Sequence, residues 1–318
     1  MSEQWTRCFA PGQVGIGITL PVQAQTTLAA EPWERAAGAQ EIIRIAQAAD
    51  RLGFFSVSAS DHVAIPRSRV PVMSSTWYEP FTTLAMVAGL THRIRLFTRA
   101  AIVPFRPPLV TAKTAATLDK LSGGRLILGV GAGHVQEEFA ALGVPFARRG
   151  DLLNQGIDIV KAALADEYPD VETADWSVRD LAIGPRPVQV PRPPVWVGGS
   201  SRPALRRAAQ RADGWFPQIA DRSQYAGDIA FLRAEREKAY PGTPIEIGAN
   251  SEPVYLGSPA WDVGGRTISG SAEQIAAALR EFVAAGAQHI QLPVRSRSCD
   301  ELADQLAGLA ADVLPSLS

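Results

Sequence analysis

The sequence is poor in cysteine, in long apolar runs and in excess charge, and each shortage argues against a class of protein. Its two cysteines, Cys8 and Cys299, lie far apart and outside any CxxC pair, which suits a reducing compartment and gives no zinc signature. No apolar run approaches the length of a membrane span, and the N-terminus lacks the basic and apolar regions of a signal peptide. We therefore expect a cytoplasmic protein with no membrane-spanning segment.

Charge is almost balanced along the chain of 318 residues. The 31 basic and 32 acidic residues leave a formal net charge of -1, which argues against a surface for nucleic acid or acidic lipid. The four histidines, His62, His92, His134 and His289, show neither HxH nor HExxH spacing, so we expect no metal site. Apolar residues make up 46% of the chain, enough to bury a sizeable core. These numbers favour a soluble globular protein.

Short apolar runs alternate with amphipathic stretches along nearly the whole chain. Strands are predicted at residues 14–19, 54–58, 94–103, 126–130, 194–197 and 215–216, within 245–256 and within 289–293. Helices are predicted at 34–52, 80–90, Pro108–Leu121, 150–165, 203–212, 223–240, 271–285 and 300–314. Strands that alternate with helices pair in parallel, and eight such units favour a TIM-type (β/α)8 barrel of the α/β class over an open sheet. We expect one domain over residues 1–318, with insertions in the loops at 63–79, 166–190 and 257–266.

The stretch TLDKLSGGRLILGVGAGHVQEEF carries three glycines at alternate positions. Gly129, Gly131 and Gly133 form GxGxG rather than the GxGxxG of a dinucleotide-binding turn, because a histidine stands where the last glycine would, and the chain has no GxxxxGK[ST]. We expect these glycines to let the strand bend and to let a ligand or a neighbouring backbone come close. Asp119 and Arg125 are predicted to pair across the Ser-Gly-Gly turn, in a structural role.

Four blocks of the sequence together resemble one family. They are SDHVAIP at 60–66, LDKLSGGRLILGVGAG followed by EEFAALGVPFARRG, PVQVPRPPVWVGGSSRPALRRAAQRADGWFP at 187–217, and the tail SGSAEQIAAALREFVAAGAQHIQLPV. Over residues 14–294 the chain is similar to the bacterial luciferase-like family of flavin and deazaflavin enzymes. The resemblance implies a TIM barrel, an oxidoreductase activity on a small organic substrate, and a homodimer.

The family divides by cofactor, into monooxygenases that use reduced FMN and enzymes that use the deazaflavin coenzyme F420. The segments SDHV.IP, PFRPPLVTAKTAATLDKLSGGR and VWVGGSS look most like the F420-dependent branch. The resemblance therefore predicts an enzyme that transfers a hydride between F420 and a small organic substrate. Two alternatives stay open, an FMN-dependent monooxygenase and a barrel that binds a flavin without catalysis.

Two histidines are the candidates for proton transfer. His62 follows Asp61 at the end of the second predicted strand, where a barrel places its catalytic groups. Its imidazole can give or take a proton near neutral pH, and Asp61 is predicted to hold its tautomer; the alternative is a histidine that only packs. His134 ends the fourth predicted strand, where relatives carry an acidic residue or tryptophan. It is predicted as a second proton donor or substrate contact, with a plain loop residue as the alternative.

The turn VGGSS at 197–201 precedes a predicted helix and is the candidate phosphate site. Backbone N–H groups at Gly198 and Gly199 are expected to face the phosphate, together with the hydroxyl of Ser200 or Ser201 and the positive end of the helix dipole. The resemblance also predicts a non-prolyl cis peptide between Arg99 and Ala100, behind the cofactor ring. It assigns further cofactor contacts to Ser60, Thr98, Arg99, Ala100, Gly131 and Gly133.

Overall fold

Eight parallel strands close into a barrel surrounded by helices, as the sequence predicts. The computed structural model describes residues 5–27, 29–218 and 222–317. The barrel strands are β1 (Gly15–Thr19), β2 (Ser56–Ala59), β3 (Arg95–Thr98), β4 (Leu126–Gly131), β5 (Val195–Gly198), β6 (Gly214–Phe216), β7 (Glu246–Asn250) and β8 (His289–Gln291). Each strand pairs in parallel with the next, and β8 pairs with β1, with Gly15 opposite His289. That last pairing closes the ring.

A helix follows each barrel strand and covers its outer face. These helices are α1 (Ala39–Leu52), α2 (Pro80–Ala88), α3 (Pro108–Leu121), α4 (Arg149–Ala165), α5 (Arg202–Arg211), α6 (Arg222–Ala239), α7 (Ala272–Ala285) and α8 (Cys299–Asp312). The glycine after α1, Gly53, takes a φ of +83°, a left-handed conformation that ends a helix at little steric cost. At the start of α7 the Ser271 hydroxyl accepts from the Gln274 amide and caps the helix. No helix in the described ranges is long and apolar enough to cross a bilayer.

Two predicted elements are broken in the structure. The predicted helix over 34–52 is a 3-10 turn at Pro32–Ala36 followed by α1, with Gly38 between them. The predicted strand over 94–103 stops at the end of β3. The peptide bond between Arg99 and Ala100 is cis, as predicted, and pairing resumes at Ala101–Ile102 against β4.

The three irregular stretches contain small elements of their own. The loop after β2 contains a short helix, Val70–Met73, and the loop after α4 contains an antiparallel pair, Val171–Glu172 with Ser177–Val178. After β7, Val254–Leu256 pairs in parallel with Ile268–Gly270. The loops after β2 and β7 therefore stand at the carboxyl ends of the barrel strands, where catalytic sites of this fold lie.

The predicted pair between Asp119 and Arg125 is wrong, because both side chains bind other groups. Asp119 is fully buried and accepts from the backbone amides of Val188 and Gln189, and from the Gln189 side chain. Arg125 donates to four carbonyl oxygens, those of Ala88, Thr91, Ile94 and Ser122. Both residues are structural, as expected. Each of them stabilises a loop through hydrogen bonds instead of forming the predicted ion pair.

The N-terminal segment closes the opposite end of the barrel. The amides of Cys8 and Phe9 donate to Oε1 of Glu246, at 2.7 and 2.9 Å, at the start of β7. The second carboxylate oxygen of Glu246 is buried without a partner among the described residues, and burial raises the pKa of this carboxyl to about 7. The barrel interior above it is aromatic, with Phe97 and Trp196 in edge contact.

Glu246→Gln should remove a pH-dependent loss of stability. The folded-state pKa lies above the unfolded value, so the folded state binds the extra proton and the wild-type protein loses stability as pH rises from about 4.5 through 7. Glutamine keeps an acceptor for the two amides without the charge. Between pH 5 and pH 8, the unfolding free energy of the variant relative to wild type should rise by roughly 1–3 kcal/mol.

Urea unfolding at the two pH values measures this difference. Glu137→Gln, an exposed glutamate, is the matched control and should show no such change. An equal stability difference at pH 5 and pH 8 for Glu246→Gln would contradict the assignment.

Candidate active site

A cavity of about 1060 Å³ opens at the carboxyl ends of the barrel strands. Its floor is polar and is contributed by the ends of five strands, β1, β2, β3, β7 and β8. The floor residues are Thr19, Ser58, Ser60, Arg99, Asn250 and Gln291. A concave site of this size with a few converging polar groups is typical of a small-molecule binding pocket.

The walls of the cavity combine apolar side chains with paired charges. The apolar part includes Ile18, Leu20 and Trp77. Two arginines of the wall face carboxylates: Arg222 binds Glu252 at 2.7 Å, and Arg295 binds Glu31 at 3.0 Å. Such a lining suits an organic molecule with an apolar body and several polar groups.

His62 is held by Glu138, a residue that the sequence analysis did not select. Its Nδ1 lies 2.7 Å from Oε2 of Glu138, and the other carboxylate oxygen accepts from the amides of Val63 and Ala64. Burial disfavours the charged carboxylate, but the bonds from His62 and the two amides prevail and hold the pKa of Glu138 below its usual range. An ionised Glu138 fixes Nδ1 of His62 as the protonated nitrogen.

The predicted role of Asp61 as the partner of His62 is wrong. Arg106 donates to both oxygens of the Asp61 carboxylate, at 2.6 and 3.1 Å, and the Ile102 amide donates at 2.9 Å. This buried carboxylate therefore joins the end of β2 to the segment after the cis peptide. Adjacent side chains after a strand point in different directions. The Asp61 carboxylate, which binds Arg106, therefore points away from His62.

His134 comes close to His62, as its place at the end of β4 predicts. The ring centroids lie 5.4 Å apart and the rings are nearly perpendicular. Loss of water around the ring and the neighbouring His62 lower the pKa of His134. Trp77 also contacts the His62 ring, with centroids 4.4 Å apart, and itself lines the cavity. The histidine pair thus adjoins the cavity through Trp77.

Gln23 fixes the loop that carries Trp77, and no pattern in the sequence marks it. This fully buried side chain donates to the carbonyl oxygens of Ser60 and Tyr78 and accepts from the Ser60 amide. Its position is fixed by contacts across 37 and 55 residues of chain.

Glu138 did have a local signal in the sequence, since two acids follow His134 within five residues. Spacing alone does not say which histidine the carboxylate binds.

The glycines of β4 serve close packing. A Cβ on Gly129 would lie 2.0 Å from the Thr98 carbonyl oxygen, and one on Gly131 would lie 3.1 Å from Cβ of Ala100. Gly133 has a φ of +79°, and a Cβ there would lie 2.8 Å from the Phe139 ring. The expected approach of a neighbouring backbone is therefore confirmed at Gly129, whereas the groups close to Gly131 and Gly133 are side chains.

Thr98 differs from the expectation of a cofactor contact. It is fully buried, and its hydroxyl donates to the Gly129 carbonyl at 2.8 Å. The hydroxyl therefore joins two barrel strands rather than facing the cavity.

The turn at 198–201 differs from its predicted arrangement. The Gly199 amide donates to the Phe216 carbonyl at 3.1 Å, so it does not face a phosphate. The Ser201 hydroxyl caps α5 by accepting from the Ala204 amide, and Ser200 accepts from the amide of Gln218. Of this neighbourhood only Gln218 lines the cavity. Gly198 packs against the Phe216 ring, where a Cβ would approach within 2.6 Å.

Ser60 and Arg99 are the two predicted cofactor residues that line the cavity. The Arg99 guanidinium donates to Oδ1 of Asn250, and burial lowers its pKa to about 9. Its Nε and Oε1 of Gln291 are buried polar atoms with no partner among the described residues. An arginine and a glutamine side chain that line the floor of a large pocket fit a flat heterocycle that carries both donors and acceptors.

The described residues contain no cluster of three His, Cys, Asp or Glu side chains that could hold a metal ion.

Solved structures share the fold at low sequence identity. The monooxygenase RslO1 from Streptomyces bottropensis superposes with a TM-score of 0.81 at 23% identity, over 96% of this chain and 100% of that one. The coenzyme F420-dependent tetrahydromethanopterin reductase from Methanopyrus kandleri gives 0.75 at 16% identity, over 96% and 100%. The FMN-bound oxygenating constituent of 3,6-diketocamphane monooxygenase from Pseudomonas putida gives 0.76 at 15% identity, over 95% and 98%. Both cofactor types thus occur on this fold.

Sequence comparison extends the likeness from fold to family. An uncharacterized protein of Mycobacterium tuberculosis is 33% identical over 217 residues, which are 64% of this chain and 74% of that protein. The model of the luciferase-like monooxygenase family matches residues 14–260. The chain therefore belongs to the luciferase-like monooxygenase family.

Proposed function

We propose that this protein is an F420-dependent oxidoreductase that transfers a hydride between the deazaflavin and a small organic substrate. The observation that carries the proposal is the combination of an open pocket floored by Arg99 and Gln291 with a carboxylate-held histidine beside it. The sequence blocks that resemble the F420-dependent branch support F420 over FMN as the cofactor. A location in the cytoplasm is part of the proposal, since both cysteines are free thiols.

The cavity floor would hold the cofactor ring, with Arg99 and Gln291 supplying a donor and an acceptor to its polar edge. When bound, the deazaflavin supplies a carbon that gives or takes the hydride. The apolar wall around Ile18, Leu20 and Trp77 would cover the substrate and keep water from the reacting atoms. The paired charges of the wall would meet the polar ends of the bound molecules.

His62 would move the proton that accompanies hydride transfer. Because Glu138 fixes the proton on Nδ1, the nitrogen that gives or takes a proton is Nε2. Asp61 would act indirectly, because its ion pair with Arg106 holds the start of the loop on which His62 lies. His134 is the competing candidate, because its ring lies 5.4 Å from His62 and its lowered pKa keeps it neutral near pH 7.

An FMN-dependent monooxygenase is the second candidate. It is supported by the higher TM-score of the monooxygenase RslO1, and it would need molecular oxygen and a supply of reduced flavin. A barrel that binds a flavin without catalysis is supported less well, because the Glu138–His62 pair is an arrangement used for proton transfer.

The first test is the choice of cofactor. Purified protein should bind F420 more tightly than FMN when each is titrated and followed by fluorescence or calorimetry. Riboflavin, which carries the FMN ring without the phosphate, is the control that separates recognition of the ring from recognition of the phosphate. Micromolar binding of FMN with no detectable binding of F420 would replace this proposal by the monooxygenase.

His62→Ala should slow hydride transfer by about a hundredfold to ten-thousandfold while the dissociation constant of the cofactor changes little. The loss should appear in kcat and kcat/KM together, as expected for an interaction made in the transition state. Turnover is followed by F420 absorbance with secondary alcohols and activated alkenes as substrates. Glu138→Gln should lose less activity, because the imidazole remains and the amide oxygen can still accept from the Val63 and Ala64 amides, while the acceptor for Nδ1 of His62 is replaced by an NH2 group.

His134→Ala is the matched control for this prediction, since it removes a ring from the same loop cluster. If His134→Ala loses turnover and His62→Ala keeps the wild-type rate, the proton-transfer role belongs to His134 rather than His62. Full rates in both variants would show that neither histidine moves the proton.

The protein should be a homodimer in solution, and light scattering should give twice the chain mass of 34.0 kDa. Family resemblance motivates this, and twofold pairing is the commonest oligomer. Exposed apolar side chains lie on α3 and on the loop that Asp119 binds; they include Leu121, Val188 and Val190. Leu121→Glu should shift the mass toward the monomer, whereas a monomer mass for wild type at all concentrations would refute the dimer.

A further inference from the structure

Arg99 crosses the mouth of the barrel. Its backbone follows β3, yet its guanidinium donates to the Asn250 side chain at the end of β7, and it stacks over the ring of Phe216 in β6 at 4.8 Å. The side chain also lines the cavity. A flat molecule that covers the barrel mouth must therefore lie against this guanidinium.

The charge on Arg99 has no counter-charge within the described part of the chain. Its neighbours are an amide oxygen and an aromatic ring, whereas Arg222 and Arg295 in the same cavity each face a carboxylate. His289, buried in the barrel interior, is affected by the same charge: burial first, and then Arg99, lower the pKa of His289 to about 3. It is therefore neutral and adds no second positive charge.

An unpaired and desolvated cation destabilises a site unless a ligand brings the missing negative charge. Two features place that ligand in the cavity. The Arg99 side chain lines an open pocket with only a neutral amide oxygen and an aromatic ring as partners among the described residues, and burial lowers the pKa of its guanidinium to about 9. A delocalised anion lying against the guanidinium would relieve both.

We propose that Arg99 is the counter-ion for the negative charge that the cofactor ring gains when it takes up a hydride. This inference rests on the proposed function. A hydride carries two electrons and one proton, so the C–H bond that breaks in the substrate leaves the ring more negative by one unit until a further proton binds. A fixed guanidinium against the ring stabilises that charge electrostatically without reorganisation. Arg99 is thus a positioning and charge-complementing residue that favours the reduced form of the cofactor.

The proposal is tested by the binding of the two redox forms to wild type, Arg99→Gln and Arg99→Lys. Dissociation constants for oxidised and anaerobically reduced cofactor are measured by absorbance, and the midpoint potential of the bound cofactor by spectroelectrochemistry. Arg99→Gln should weaken binding of the reduced form at least tenfold more than binding of the oxidised form. By linkage, this lowers the potential by at least about 30 mV for a two-electron couple. Arg99→Lys keeps the charge and should recover part of the shift.

Arg266→Gln is the matched control, because Arg266 lines the same cavity but is exposed. It should change the affinities of both forms by the same factor. Circular dichroism and thermal unfolding show whether each variant remains folded. A further arm repeats the Arg99→Gln titration at low pH, where a second proton neutralises the reduced ring and the difference should shrink.

Equal weakening of the oxidised and reduced forms by Arg99→Gln, in a folded protein, would overturn the inference and leave the proposed function intact. An unchanged potential with Arg99→Gln would do the same. If wild type binds neither F420 nor FMN, the proposed function fails, and the role of Arg99 as counter-ion fails with it.

Discussion

The candidate active site depends on one buried carboxylate, that of Glu138. It accepts from Nδ1 of His62 and from the amides of Val63 and Ala64, so three donors from the loop after β2 converge on one side chain after β4. Burial alone would raise the pKa of such a carboxyl, and the three bonds reverse that effect. The orientation of His62, the start of the loop and the spacing to His134 all follow from this contact.

A second ion pair lies directly beside it and has a different task. Asp61 with Arg106 joins the end of β2 to the segment that follows the cis peptide, so the backbone on both sides of Arg99 is held. Neighbouring residues of one loop thus serve two separate networks. One network, through Glu138, orients a proton-transfer group, and the other, through Asp61, positions the cavity floor.

The distribution of charge distinguishes the two ends of the barrel. At the closed end, Arg192 and Asp213 pair at 2.6 Å in full burial. At the open end, Arg99 has only neutral neighbours and an open cavity before it. A structural site is stable when each buried charge is paired within the protein. A binding site instead keeps a charge unpaired, so that the ligand can pair with it.

Local pattern and interactions between distant residues account for different parts of this protein. The sequence by itself determined the eight strand–helix units, the parallel pairing they imply and the caps at Gly53 and Ser271, since periodicity and capping depend on residues a few positions apart. The family resemblance predicted the cis peptide after Arg99, and the places of His62 and His134 at strand ends predicted that they lie at the same end of the barrel. Only the tertiary structure decided that His62 meets Glu138 rather than Asp61, and that the Gly199 amide binds Phe216 rather than a ligand. Those choices depend on side-chain direction and on contacts between residues as far as 76 positions apart, which no local pattern records.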